Sequence, residues 1–413
     1  MSEPHTHGGD DRKLSLENLW VLMVTAFVDM IGFALILPLL PFYTQRLTEE
    51  ARGNPVDEAV VGVMVGALVG IYALAQMIAA PVWGRLSDRY GRRPMILTSQ
   101  AISGLAYLTF AYAESVWVLL ACRLLQGVGG GTASVVNAYV SDAVGPDERA
   151  KALGWITACT SAGVMVGPAI ASFSVDFGYE IPGLIAAGLC GLNILFGWFW
   201  LEETVEGAGR PKPGRRKIRQ QIGEVLRQPT AVTSTLIWVY AAGMMAFMAM
   251  NTILALFLSD RFGVTEKTIG WFYMSVGFVS VIARAVVLGA AVNRFGEVRV
   301  LRLGAVLLGL GMCIAPLTQN IWQFLICVVL IPTGTSFLFP STTSLVSRYA
   351  DPKVVGQTLG VQHFFGGLCR LIGPLWAGAA FQYLGKTHPF WMAGALVFAT
   401  ALFSLRLKPR RRL

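Results

Sequence analysis

The chain reads as an all-α polytopic membrane protein with twelve transmembrane helices in two six-helix halves, and three observations predict this. Of its 413 residues, 54% are hydrophobic and only 14% charged, where soluble domains carry about 25% charged residues. Apolar runs of about 20 residues, long enough to cross a bilayer core of about 30 Å, fill nearly the whole length. A Gly- and Arg-rich stretch between two such runs recurs in degraded form halfway along the chain.

That stretch is Gly84-Arg85-Leu86-Ser87-Asp88-Arg89-Tyr90-Gly91-Arg92-Arg93, and its copy, Gly289-Ala290-Ala291-Val292-Asn293-Arg294-Phe295-Gly296, lies 205 positions later. Two glycines seven apart suit a tight turn between helices, because glycine accepts positive φ at little steric cost. The arginines hold the loop on one side of the membrane, and Asp88 is the one acid among them.

Twelve spans are expected, at about 19–43, 58–83, 94–113, 116–141, 150–173, 181–201, 231–258, 267–291, 299–318, 321–347, 354–383 and 387–406. With both termini on one side, that side holds 25 of the 33 Lys and Arg, the other side holds 5, and 3 lie within spans. This positive-inside bias puts both termini in the cytoplasm. The net charge of +9 is thus a topology signal, and no nucleic-acid partner is expected. No cleavable signal peptide is evident. The six cysteines fall inside apolar runs without ligand or disulfide spacing and read as small packing residues.

Residues 1–18 are polar and read as a disordered cytoplasmic segment; His5 and His7 lack further ligands for a metal site. The N-terminal half follows at 19–201. Its first span holds Asp29, near mid-membrane, the only carboxylate placed well inside a span. Such a group costs on the order of 2.5–3.5 kcal/mol to insert, so it faces a cavity or a partner and marks function; the plainer reading is a carboxylate paired at a helix interface. Pro38 and Pro41 break the outer end of this span.

Span four opens on Arg123, then Gln126, Gly127 and further glycines that permit close helix packing. Helices one and four run antiparallel, and at about 1.5 Å per residue Asp29 and Arg123 lie at similar depths, so the two can pair if their helices are neighbours. Span five carries Gly163, Gly167 and Pro168; span eleven answers with Gly373 and Pro374, 206 positions on. The chain is therefore a parallel repeat of two halves, and each Gly-Pro is either a packing kink or a hinge.

Residues 202–230 form a basic cytoplasmic linker in which Pro211, Pro213 and Gly214 stop a span from forming, suited to anionic lipid. The C-terminal half spans 231–406, with a basic cytoplasmic tail at 407–413. Span seven is rich in Met and Phe. Phe247, Met248 and Asn251, with Phe33, Phe337, His363 and Arg370, are the candidates to line a substrate cavity; packing explains the Met and Phe residues equally well. His363 and Arg370, seven apart, share one helical face. Arg284, nearer the membrane surface, can snorkel.

These residues resemble the major facilitator superfamily, and within it the twelve-helix drug:H⁺ antiporters typified by tetracycline exporters, over about residues 19–406. The Gly84–Arg93 stretch looks like the signature after helix two, the Arg123–Gly129 run like the helix-four motif, and Gly163–Pro168 like the exporters' helix-five motif. Asp142 to Arg149 looks like a tetracycline-exporter loop. Two features depart from that pattern: residues 299–318 contain no Asp or Glu where tetracycline exporters carry a carboxylate, and Asn293 replaces the acid of the second loop.

The expected function is therefore a proton-coupled transporter of the inner (cytoplasmic) membrane, expected as a monomer, exporting lipophilic or cationic small molecules by alternating access. Asp29 would be the proton site, with Arg123 as its electrostatic partner, and Gly84, Asp88, Gly91, Arg92, Arg93 and Asp142 would form the cytoplasmic gate. The proton gradient is the energy source and no cofactor is expected. The rival readings are an exporter of a sugar or other endogenous metabolite and a non-transporting scaffold or sensor. An enzyme is not expected, since the chain shows no Ser/His/Asp set, HExxH or phosphate loop.

Overall fold

The computed structural model describes residues 19–144, 146–203, 215–350 and 355–407. The expected N-terminal segment, residues 204–214 of the linker and the tail from 408 onward lie outside these residues, so their assigned roles rest on sequence alone.

Ten helices among the described residues are long and apolar enough to cross a membrane, and an eleventh if one bent pair is a single span. That pair is α1 (Trp20–Ile36) and α2 (Leu40–Arg52), bent by 42° where Pro38 and Pro41 deny the backbone its donors. Next come α3 (Glu58–Tyr90) and α4 (Arg92–Ala111). Helix α4 has 20 residues, enough for about 30 Å, and is the twelfth crossing; its apolar character is diluted by the buried Ser99, Gln100 and Ser103. Helices α5 (Val116–Gly129) and α6 (Thr132–Ala143) are one span interrupted at the glycines, followed by α7 (Pro146–Val175) and α8 (Ile181–Trp200). A surface helix α9 (Arg215–Arg227) precedes the second set. This comprises α10 (Val232–Phe262), α11 (Ile269–Ile282) joined through a π-helical turn to α12 (Leu288–Phe295), α13 (Glu297–Ile314), α14 (Ile321–Tyr349), α15 (Val355–Tyr383) and α16 (His388–Phe403).

The Gly84–Arg93 stretch differs from the expected loop. Helix α3 runs unbroken through Gly84 to Tyr90, and the turn is Gly91 alone, at φ +100°. Arg85 and Arg89 are good helix formers, and Asp88 pairs with Arg92 one turn on, so nothing ends the helix before the second glycine. The copy behaves alike: Gly289 is helical and Gly296 turns at φ +82°.

Two main pairs of helices join the first set to the second, with a smaller contact between α3 and α10. Helix α3 packs against α15, and α7 against α11. A Cβ on Gly66 would sit 2.5 Å from the Pro374 carbonyl oxygen, and one on Gly270 would sit 2.0 Å from that of Pro168. Both contacts place a glycine of one half against the proline of the other half's kinked helix. Small residues allow such approach where lipid offers no hydrophobic drive between helices.

Candidate functional site

Asp29 lies half-buried on α1 and lines a cavity of about 130 Å³ between α1, α6 and α7. Thr132, Asn137, Thr157 and Thr160 supply its polar wall, and Met30, Val136 and Ile156 its apolar one. Gln100 of α4, 1% exposed, adjoins the carboxylate from behind. A mid-span carboxylate beside threonines and a cavity has room for water, which lowers the cost of its charge.

Arg123 is not paired with Asp29. It is 2% exposed, and its Nη1 donates to Gln126 Oε1 at 2.7 Å, one turn along the same helix. Helix α1 packs against α7, α8 and the α6 half of the interrupted span, whereas Arg123 belongs to the α5 half, which packs against α3 and α4. Two tyrosines lie near both charges. Tyr107 of α4 abuts Gly32, where a Cβ would lie 2.8 Å from its hydroxyl. Tyr72 of α3 stacks 5.3 Å from Phe33, one turn from Asp29, and its hydroxyl lies within electrostatic reach of Asp29, Arg123 and Arg370. Gln76 donates to that hydroxyl at 3.0 Å and to the Gly130 carbonyl at 3.2 Å.

Tyr72, Gln76, Gln100 and Tyr107 are absent from the sequence-based site. Their signal was available as tyrosines and glutamines inside apolar spans, with Tyr72 and Gln76 four apart on one face.

In the second half, Arg370 is half-buried near Tyr240 and His363. The His363 ring is exposed and meets Tyr240 edge-on at 6.2 Å. Phe339 lies 5.4 Å from Tyr240 and 6.2 Å from Phe247. Phe337 belongs elsewhere. It is 3% exposed and packs toward α13, where a Cβ on Gly304 would lie 2.8 Å from its own Cβ. Two residues along a helix point about 200° apart, so Phe339 takes the place expected for Phe337. Asn251 donates to its own helix, at the Phe247 carbonyl, 2.9 Å away. Met248 lies against α15, its Cβ 3.3 Å from where a Cβ on Gly373 would be. Arg284 sits in the π-helical turn and donates to the buried Ser336 at 3.3 Å.

Arg92, 4% exposed, is the hub of the basic end. Its Nη2 lies 2.6 Å from Asp88 and 2.9 Å from Asp142, and its Nη1 donates to Ser87 at 2.5 Å. Glu203, beyond α8, accepts from the backbone amides of Arg92 and Arg93 at 2.8 and 3.2 Å, capping α4. A side chain on Gly91 would collide with that carboxylate, with a Cβ 2.3 Å from it. Arg93 donates to the Trp198 carbonyl. Gly84 meets nothing within 4 Å at its Cβ position. The cluster members named here all belong to the first half or its boundary.

Gly163 and Gly167 are close-packing positions: a Cβ on each would sit 2.5 Å from the Phe27 carbonyl and 2.8 Å from the Ile31 carbonyl of α1. Gly127 does the same against α3, 2.5 Å from the Tyr72 carbonyl.

The opposite end is where the halves are tied. Lys386 bridges Glu58 and Asp260, at 2.6 Å to each, and Lys267 meets Asp176 at 2.6 Å. Ser172 donates to the Glu266 carbonyl and accepts from the Gly270 amide, both at 2.7 Å, and Tyr179 donates to Glu266 at 3.0 Å. Among the described residues, every ion pair between the halves lies at this end.

Two six-helix sets, a polar centre between them and a tie at one end describe a rocking transporter. The Major Facilitator Superfamily model matches residues 22–287 and again 236–413. The chain belongs to the major facilitator superfamily. As a superfamily member it is 29% identical over 390 residues to the class C tetracycline resistance protein of Escherichia coli, covering 94% of this chain and 96% of that one. It is 26% identical over 379 residues to multidrug resistance protein 2 of Bacillus subtilis (strain 168), covering 91% of each. The crystal structure of the peptide transporter POT in complex with sulfate superposes with a TM-score of 0.76 over 94% of each chain, at 15% identity. That likeness concerns the fold.

Proposed function

We propose that this superfamily member is a proton-coupled exporter of amphipathic small molecules, of the kind named by its tetracycline and multidrug resistance relatives. The observation that carries the coupling is Asp29, the one carboxylate well inside the spans, open to a cavity and adjoined by Gln100. The basic end is taken as cytoplasmic by the positive-inside rule, in the inner membrane. The tie through Lys386 then lies outside, and the structure corresponds to an inward-facing state.

In this reading, a substrate enters from the basic end and reaches the tyrosines around Asp29. Its arrival changes the field at the carboxylate and favours proton release to the cytoplasm. Rocking then breaks the Lys386 tie, closes the Arg92 end and exposes Asp29 to external protons. Arg123, held by Gln126 beside Tyr72 and Tyr107, contributes a fixed positive field rather than a direct partner. Apolar tyrosine, phenylalanine and methionine walls suit amphipathic cargo, lipid surrounds the chain, and a monomer contains every element the cycle uses.

Proteoliposomes with an acidic interior and the basic end outward test the reading, with ethidium and tetracycline as probes. Wild type should accumulate a probe against its gradient until a protonophore is added. Asp29→Asn should lose uphill accumulation yet retain downhill equilibration. Uphill accumulation by Asp29→Asn at the wild-type rate removes Asp29 as the coupling residue.

A further inference from the structure

The transmembrane interior is not balanced in charge. Asp29 is the one carboxylate well inside the spans, against Arg123, Arg284 and Arg370. Arginine stays protonated in proteins, and a buried guanidinium without a counter-charge is costly. Arg123 and Arg284 each donate to a neutral side chain, Gln126 and Ser336. Arg370 has neither: its buried Nε lacks a hydrogen-bond partner, and no carboxylate lies within ion-pair distance among the described residues.

The face of α15 that holds Arg370 is shaped to stay open. His363, Gly366, Gly367 and Arg370 recur at helical spacing on one side. A Cβ on Gly366 would lie 2.6 Å from the Tyr240 ring of α10, and one on Gly367 would lie 3.8 Å from Met77 of α3. The glycines thus let rings from α10 and methionine from α3 close around the helix one turn from the guanidinium, at the junction of the halves. Across that junction stands Tyr72, near both Arg370 and Asp29 and stacked on Phe33. A positive pole on the second half and a negative pole on the first therefore flank one aromatic wall.

We propose that the exported molecule is a zwitterionic amphipath, whose anionic group is taken by Arg370 and whose cationic group is taken by Asp29, with its aromatic body against Tyr72, Tyr240 and Phe339. Resting on the exporter reading, this deepens it. The cationic group competes with the proton for Asp29, as exchange requires, and the anionic group supplies the counter-charge that Arg370 lacks among the described residues. A planar carboxylate fits the guanidinium fork. Contact with one pole on each half also makes occupancy sensitive to their relative position, so rocking loosens the grip.

The test uses ciprofloxacin, a fluorescent zwitterion, with its methyl ester, which keeps only the amine, and its N-acetyl derivative, which keeps only the carboxylate. Binding to the detergent-purified full chain at neutral pH is read by fluorescence anisotropy. Wild type should bind the zwitterion roughly tenfold or more tightly than either derivative. Arg370→Gln should bring the zwitterion level with the ester, Arg370→Lys should retain part of the difference, and Asp29→Asn should bring the zwitterion level with the N-acetyl form. A wild-type unfolding transition for Arg370→Gln in the same detergent serves as the fold control. Equal binding of zwitterion and ester by wild type overturns the inference, as does an intact preference for the carboxylate in Arg370→Gln. Loss of gradient-driven export with this binding pattern intact would instead sink the exporter reading alone.

Discussion

Glu297 and Arg348 meet at 3.1 Å across the start of α13 and the end of α14, and they are the charge-reversed counterpart of Arg92 and Asp142. Arg92 lies 205 residues before Glu297 and Asp142 lies 206 before Arg348, the offsets of the internal repeat. Both halves therefore keep a bridge at the same place with opposite polarity. The two differ in burial: Arg92 is 5% exposed in its side chain, whereas Arg348 is 69% exposed.

That difference sets the first prediction. Arg92→Met leaves two half-exposed carboxylates and Ser87 without their shared donor, and should destabilise the chain by about 1–3 kcal/mol. Arg348→Met removes a largely solvated guanidinium and leaves Glu297, 11% exposed, with its Ser344 hydrogen bond, so it should cost less, about 0–1 kcal/mol. Thermal unfolding of both variants in detergent checks the contrast; equal losses would mean that burial does not decide the worth of these bridges.

The tie at the opposite end should govern which state is populated. Burial opposes the charge on Lys386, but hydrogen bonds to Asp260 and Glu58 outweigh it and hold its pKa above the ordinary lysine range. Its contribution is thus complete below the unfolded lysine value of about 10.4 and is lost only as pH rises through the raised folded value. Lys386→Met should lengthen the distance between spin labels at Glu50→Cys and Gln319→Cys in a cysteine-free chain, measured by electron–electron resonance. The wild-type distance should stay constant between about pH 5 and 9. A distribution unaffected by Lys386→Met would leave the backbone contacts of Ser172 and Glu266 as the working closure.

Close packing of α7 on α1 should resist added volume. Gly163→Val places methyl groups against the Phe27 carbonyl and Met30, and should cost about 1–3 kcal/mol by overpacking. Gly154→Ala, where a Cβ meets nothing within 4 Å, should be neutral or slightly stabilising. The difference in their unfolding temperatures checks this; a tolerated Gly163→Val would favour a hinge over a packing contact.

The orientation drawn from charge predicts that Gln228→Cys, in the turn between α9 and α10, is labelled by an impermeant maleimide only in inverted vesicles. Gln319→Cys should be labelled only in intact cells. The reverse pattern would invert the assignment of inside and outside.

Sequence alone determined the all-helical membrane architecture, because a bilayer leaves a backbone no other way to satisfy its hydrogen bonds over such apolar runs. The same physics singled out Asp29, since a mid-span carboxylate is too costly to be incidental, and the repeated glycines exposed the two halves. Lateral neighbours were not legible: depth along a helix fixes one coordinate, so the expected Asp29–Arg123 pair gives way to Arg123 on Gln126, with Tyr72 and Tyr107 near both charges. Helical phase was likewise hidden between Phe337 and Phe339, as a buried phenylalanine and a cavity phenylalanine look alike in an apolar run. The capping of α4 by Glu203 and the Lys386 bridge join residues 111 and 328 positions apart. Only the packing of α8 beside α4, and of one half against the other, brings those charges together, because Coulomb attraction between them depends on distance in space and not along the chain.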